Sequence, residues 1–219
     1  MRRVVVLALL AMVLPIAAWA DTISITNQVG SISITGMAGT SGAGTIGVST
    51  ISTKGSQLTQ YNSVQAAPGH SLGTVSYSTG ALTSGTISGG GTFAGGGSFD
   101  VIGKGAWANS LTGQKCGAGC TLFSGSFNGP VTWAQTGGSG VHLTYSLSGL
   151  ITGTLYDGRS VSGSTVQNFI STKGQLSAGI GHITMGTTGL TGTPEPGTLG
   201  LLGTGLVAMA GMFRRKLMS

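Results

Sequence analysis

The chain has 219 residues, of which 42 are glycine and only 6% are charged; globular proteins average roughly 7% glycine and 25% charge. Hydrophobic residues make up 40%, so the low charge does not read as disorder, which needs low hydrophobicity and high net charge. No Gly-X-Y period is present, which excludes collagen, and the length suits one folded domain plus end segments.

The formal charge of +6 is concentrated at the ends. Arg2 and Arg3 lie at the front, and Arg214, Arg215 and Lys216 at the back. Between them Lys54, Lys104, Lys115, Arg159 and Lys173 face Asp21, Asp100 and Asp157, a net of +2. A nucleic-acid binder gathers its cations on the folded domain, so no nucleic-acid partner is expected.

In chain order, Met1-Arg2-Arg3 precedes an apolar run from Val4 to Ile16, interrupted by Pro15. Ala18-Trp19-Ala20 then forms a small-x-small cleavage site, and the mature chain would begin at Asp21. Those three parts in that order describe a Sec-type signal peptide over residues 1–20, with the Sec translocon and signal peptidase as partners. The competing reading is an N-terminal membrane anchor, but the run falls short of the ~20 residues that span a bilayer. Export means no ATP, no nicotinamide pool and a compartment that tolerates disulfides.

Residues 21–192 alternate with period two. Thr22-Ile23-Ser24-Ile25-Thr26 and Ser31-Ile32-Ser33-Ile34-Thr35 read as a hairpin across Asn27 to Gly30. Further strands are expected over 45–51, 73–78, 92–101, 121–127, 131–135, 141–147, 151–156, 160–166 and 182–185. Asn128-Gly129 and Asp157-Gly158 carry hairpin turn chemistry. Pro130 begins a strand, where proline is tolerated. No long helical period interrupts this pattern. Alternation places Ile, Val, Leu and Phe on one face and Ser and Thr on the other. The reading is therefore all-β: one Gly/Ser/Thr-rich antiparallel β-sandwich or barrel-like domain, flanked by an N-terminal signal helix and a C-terminal transmembrane helix. With few charges to guard strand edges, covered edges or self-association are expected. Ile51-Ser52-Thr53-Lys54-Gly55 recurs as Ile170-Ser171-Thr172-Lys173-Gly174, read either as chance or as two similar strand–turn units that could pair. A six-residue glycine spacing over 85–97 hints faintly at a β-helix.

Candidate chemistry is sparse. Gly69-His70-Ser71-Leu72-Gly73 fits the nucleophile elbow, and Ser71, Asp157 and His182 follow in hydrolase order. The elbow needs a helix behind it, whereas Thr74-Val75-Ser76-Tyr77 has strand character. Cys116 and Cys120 are expected to form a disulfide pinning one turn, with Gly117 and Gly119 allowing the tight backbone. A metal site would need four donors, and His70, His142 and His182 are dispersed. Asp100 and Asp157 are the carboxylates left for a glycosidase pair. Trp107, Trp133, Tyr61, Tyr77, Tyr145 and Tyr156 read as core aromatics, or alternatively as sugar-stacking platforms. No phosphate-binding, dinucleotide or calcium motif appears, so no cofactor is expected and no catalytic residue is assigned.

At the back, Thr193-Pro194-Glu195-Pro196-Gly197 precedes an uncharged, mostly apolar stretch over 198–213 and the basic tail 214–216. The stretch is just long enough for a short transmembrane helix, and Arg214, Arg215 and Lys216 should stay cytoplasmic as a stop-transfer cluster. The prolines keep the segment around Glu195 extended. Over residues 193–216 the tail resembles the PEP-CTERM sorting signal. That resemblance implies recognition by an exosortase, a membrane protease that cuts near Pro194-Glu195-Pro196, and a setting of exopolysaccharide and biofilm. The expected protein is a non-enzymatic exported one, anchored in the inner membrane in transit and then at the cell surface or extracellular. A carbohydrate-binding adhesin and a hydrolase using Ser71 are the alternatives. An uncleaved single-pass anchor is the plain reading of the tail.

Overall fold

A computed structural model describes residues 22–35, 50–172, 176, 180–192 and 205. The signal segment, Pro194-Glu195-Pro196 and the basic tail lie outside the described residues, as does the 198–213 stretch apart from Gly205. Among the described residues no helix is long and apolar enough to cross a membrane.

Alternation of apolar and hydroxyl side chains makes the strands, because successive side chains point to opposite faces. The strands are β1 (Thr22–Gln28), β2 (Ser31–Thr35), β3 (Thr50–Tyr61), β4 (Val64–Gln65), β5 (Gly73–Ser78), β6 (Leu82–Thr86) and β7 (Gly90–Phe93). They continue with β8 (Gly96–Gly103), β9 (Cys120–Phe127), β10 (Val131–Ser139), β11 (His142–Leu155), β12 (Ser160–Ser171) and β13 (Ile180–Gly192). One short helix, α1 (Ala106–Thr112), lies between β8 and β9.

Several of these strands are halves of one longer stave. β1 and β2 are each antiparallel to both β3 and β13, so they run in the same direction, end to end. The Gln57 N–H donates to Val29 O at 3.0 Å and the Ile183 N–H to Gly30 O at 2.8 Å, so the ladder continues through the kink on both sides. Val29, at φ 48, makes that kink. The hairpin expected across Asn27 to Gly30 is therefore absent. The second run is apolar on the same phase, but it prolongs the first instead of folding back.

The same reasoning joins β5 to β6, which pair with β8 and β7, and joins β7 to β8, which pair with β10 and β9. It also joins β9 to β10, both antiparallel to β11. Asn128-Gly129 is thus a break within one stave, with the Asn128 N–H donating to Leu150 O at 2.8 Å, and not a hairpin turn. Pro130 follows in that break, since it has no N–H to give to a ladder. Asp157-Gly158 does turn the chain from β11 into β12, with Gly158 at φ 85.

Eight staves result, each antiparallel to the next in sequence: β1–β2, β3, β5–β6, β7–β8, β9–β10, β11, β12 and β13. β13 pairs with β12 on one edge and with β1 and β2 on the other. The sheet closes into an up-and-down barrel. Of the two architectures expected, the barrel is formed and the sandwich is not. Among the described residues neither a β-helix nor a pairing of the two Ile-Ser-Thr-Lys-Gly segments is present, since β3 pairs with β1, β2, β4 and β5, while β12 pairs with β11 and β13.

The interior is apolar. Tyr77, Phe99, Phe123 and Phe127 form an aromatic cluster in mid-barrel, with Tyr77 stacked on Phe99 at 5.8 Å. Burial without a hydrogen-bond partner pushes the Tyr77 hydroxyl well above its ordinary pKa. At the far pole Trp133 stacks on Tyr145 at 5.0 Å. Its indole N–H reaches Ile87 O at 2.7 Å, and the Tyr145 hydroxyl donates to Ser88 O at 3.3 Å.

One polar cluster interrupts this core. Asn27, Ser56, Thr165, Gln167 and Thr188 are all buried. Asn27 Nδ2 donates to Ser56 Oγ at 2.7 Å and to Gln167 Oε1 at 3.0 Å. Gln167 Nε2 returns a bond to Asn27 Oδ1 at 3.2 Å and reaches Thr165 Oγ1 at 2.9 Å. Thr165 and Thr188 share a hydroxyl bond of 2.8 Å. The two carboxamides meet across β13, over Gly186; any Cβ there would collide with both.

Removing one member of this reciprocal pair strands the other in apolar surroundings. Asn27→Ala is expected to lower the unfolding free energy by about 1–3 kcal/mol. Asn27→Ala with Gln167→Ala should cost less than the sum of the two single losses. Urea unfolding of the four chains measures both.

Candidate functional site

The barrel has two poles, and the chain enters and leaves at the same one. Thr22, the first residue of β1, pairs with Thr191, the penultimate residue of β13. This tail-side rim also carries the end of β3, where the Asn62 N–H donates to Ser24 O at 2.7 Å and Asn62 Oδ1 accepts from the Ser24 N–H at 2.9 Å.

Helix α1 covers part of the same rim. Gly113 ends it in the left-handed conformation, its N–H donating to Asn109 O. Trp107 packs on Tyr61 at 5.8 Å and donates its indole N–H to Leu72 O at 2.9 Å. After the helix, Cys116 and Cys120 are joined by a disulfide with Cα atoms 5.0 Å apart. Asn109 Oδ1 accepts the Cys116 N–H at 2.6 Å, which ties the bridge to the helix. The β11–β12 turn completes the rim. There Arg159 Nε meets Asp157 Oδ2 at 2.6 Å. Partial burial would raise the Asp157 carboxyl, but the Arg159 backbone N–H and guanidinium outweigh it and hold the carboxyl below its usual range.

Beside the chain exit an open groove of about 670 Å³ crosses the outer wall over β11, β12, β13 and β1. Its exposed lining includes Thr22, Ser24, Leu150, Ser164, Gly189 and Thr191, without a charged residue. Leu150 is 60% exposed there.

Residues 193–216, which follow β13 in the sequence, match the PEP-CTERM protein-sorting motif. The chain carries an exosortase sorting signal. No curated protein and no solved structure matches the chain. The PEP-CTERM motif marks an exported protein that passes through the membrane and is recognised by an exosortase. It starts two residues after Thr191, the last paired residue of the β1–β13 ladder. The barrel and the motif are thus joined with almost no spacer.

The other candidates are dispersed. Ser71 lies at the tail-side rim, between His70 and the start of β5, so a strand and not a helix follows the Gly-x-Ser-x-Gly motif. His182 pairs with Ser31 in the opposite half of the barrel. It is nine residues before Thr191, roughly 30 Å along β13. Ser71, Asp157 and His182 therefore do not assemble. Asp100 accepts the Ser124 hydroxyl at 2.7 Å on the outer wall, two staves away from Asp157, so the two carboxylates do not face one another. Among the described residues no three His, Cys, Asp or Glu gather as a metal site. Tyr61, Tyr77, Trp133 and Tyr145 are buried, and Trp107 and Tyr156 pack against the core. Tyr61, Tyr77, Trp133 and Tyr145 are core aromatics, as the first of their two readings has it.

The Asn27–Gln167 pair escaped the sequence reading. Its signal was present: Asn27 continues the inward phase of Ile23 and Ile25, where an apolar residue belongs.

A loop as short as that closed by Cys116 and Cys120 restrains little of the unfolded chain. Replacing both cysteines by Ala is expected to cost roughly 2 kcal/mol in the chain-entropy picture and to leave the barrel folded. Urea unfolding with far-ultraviolet circular dichroism checks both points.

Proposed function

We propose that the chain is an exported, non-enzymatic surface or matrix protein that is processed at both ends and sorted by an exosortase-type protease. The observation that carries this reading is the PEP-CTERM match over 193–216. In it, the Sec translocon passes the chain and signal peptidase cuts after Ala20. The barrel then folds outside the inner membrane, while the 198–213 stretch holds the tail with Arg214, Arg215 and Lys216 on the cytoplasmic side. The protease cuts near Pro194-Glu195-Pro196, and the barrel passes to the cell surface or the surrounding exopolysaccharide.

The character of the barrel agrees with that role. Its outer face is built of Ser, Thr and Gly, with few charges, and its inner face of apolar side chains. A membrane barrel reverses that order, with apolar residues outward. An uncharged hydroxyl face suits a hydrated polymer, where hydrogen bonds and not ion pairs set the contacts.

Mass spectrometry of surface material is expected to find a chain that starts at Asp21 and ends before the Arg214-Arg215-Lys216 cluster. Replacing Pro194, Glu195 and Pro196 by Ala should leave that cluster attached and the protein in the membrane fraction. A surface protein that keeps the cluster contradicts sorting cleavage.

A further inference from the structure

We propose that the sorting protease docks on the barrel itself, on the uncharged groove beside the chain exit, so that it reads a folded surface as well as the PEP-CTERM segment. This rests on the sorting reading above and adds to it a second recognition surface.

The argument is one of reach. Thr191 is held in the ladder against Thr22, and β13 ends at Gly192. Extended chain covers at most ~3.5 Å per residue, so Pro194 lies within about 10 Å of the last paired residue and Pro196 within about 18 Å. A small protein domain is roughly 30 Å across. A protease whose active site closes around residues 194–196 therefore brings its body against the rim from which they emerge.

At that rim the groove offers a shaped, uncharged surface. Thr22, Ser24, Ser164 and Thr191 are exposed hydroxyl residues. Gly189 and Thr191 belong to the strand that leads into the motif. Leu150, paired with Ser164 across β11 and β12, is the one exposed large apolar side chain in the lining. An exposed leucine ringed by hydroxyls and glycine has the layout of an apolar contact centre within a polar rim. The matching partner surface is uncharged and polar, with a shallow apolar recess.

Pulse-chase labelling in cells that contain the exosortase-type protease tests this by following loss of the tail. Leu150→Arg and Ser164→Arg are each expected to slow tail loss roughly tenfold. Val141→Arg, at an exposed site on the far pole, should not slow it. Inserting about ten Gly/Ser residues between Gly192 and Thr193 lengthens the reach by up to ~35 Å. That insertion uncouples the groove from the motif, so it should slow tail loss in the wild-type barrel and add little to the defect of the Leu150→Arg chain. Resistance of the barrel to added protease reports folding in every variant, and Ser164→Arg serves if Leu150→Arg misfolds. Normal cleavage of folded Leu150→Arg and Ser164→Arg overturns the docking proposal while sorting stands, and so does an insertion that restores the normal rate in the Leu150→Arg chain, since it marks the arginine as an obstruction and not a lost contact. A wild-type chain that keeps residues 214–216 overturns the sorting reading itself.

Discussion

The barrel depends on its last strand being hydrogen-bonded along both edges. β13 joins β12 to the β1–β2 stave, and without it the other seven staves would form an open sheet with an exposed apolar face. In a chain this poor in charge an open edge has little protection against pairing with another molecule. Closure removes the edges instead of guarding them. The buried carboxamides of Asn27 and Gln167 reinforce the seam, because they meet across β13 at the one place where Gly186 leaves room. Such a pair is satisfied in one register. A slip of one residue would turn every inward side chain outward and leave both amides unpaired.

Closure by the last strand also fixes where the chain ends emerge. The first and last staves are neighbours, and Thr22 pairs with Thr191, so the start of β1 and the end of β13 lie at one rim. The disulfide, helix α1 and the Asp157–Arg159 turn brace that same rim. The far pole is closed differently, with Trp133 and Tyr145 holding the Ile87–Ser88 backbone over the aromatic core.

Much of this was legible in the sequence, and the errors have a common cause. Period-two alternation located most strands, and the apolar and hydroxyl faces fell inside and outside as that pattern requires. Alternation does not report direction. The runs around Ile23 and Ile32 look like the arms of a hairpin, yet the intervening Val29 kink leaves them collinear. Asn128-Gly129 has hairpin chemistry and serves as a break within a stave, because Leu150 accepts the Asn128 N–H and keeps the ladder intact. β3 was legible only at its start, since Ser56, Gln57, Thr59 and Gln60 dilute its apolar signal. The Ser71, Asp157 and His182 order follows that of hydrolases in sequence, but the barrel places Ser71 and His182 in opposite halves. The sorting tail was readable without the fold, because three unlike elements occur there in order.

The most direct test of the closed barrel is the separation of spin labels placed at Thr22 and Thr191, both exposed. Double electron–electron resonance and line broadening should place the two labels within roughly 15 Å, as neighbours across one ladder. In an open sheet of eight staves the first and last would be seven strand spacings, or about 34 Å, apart. A distance near that value would contradict the closed barrel and, with it, the common rim for the first and last staves.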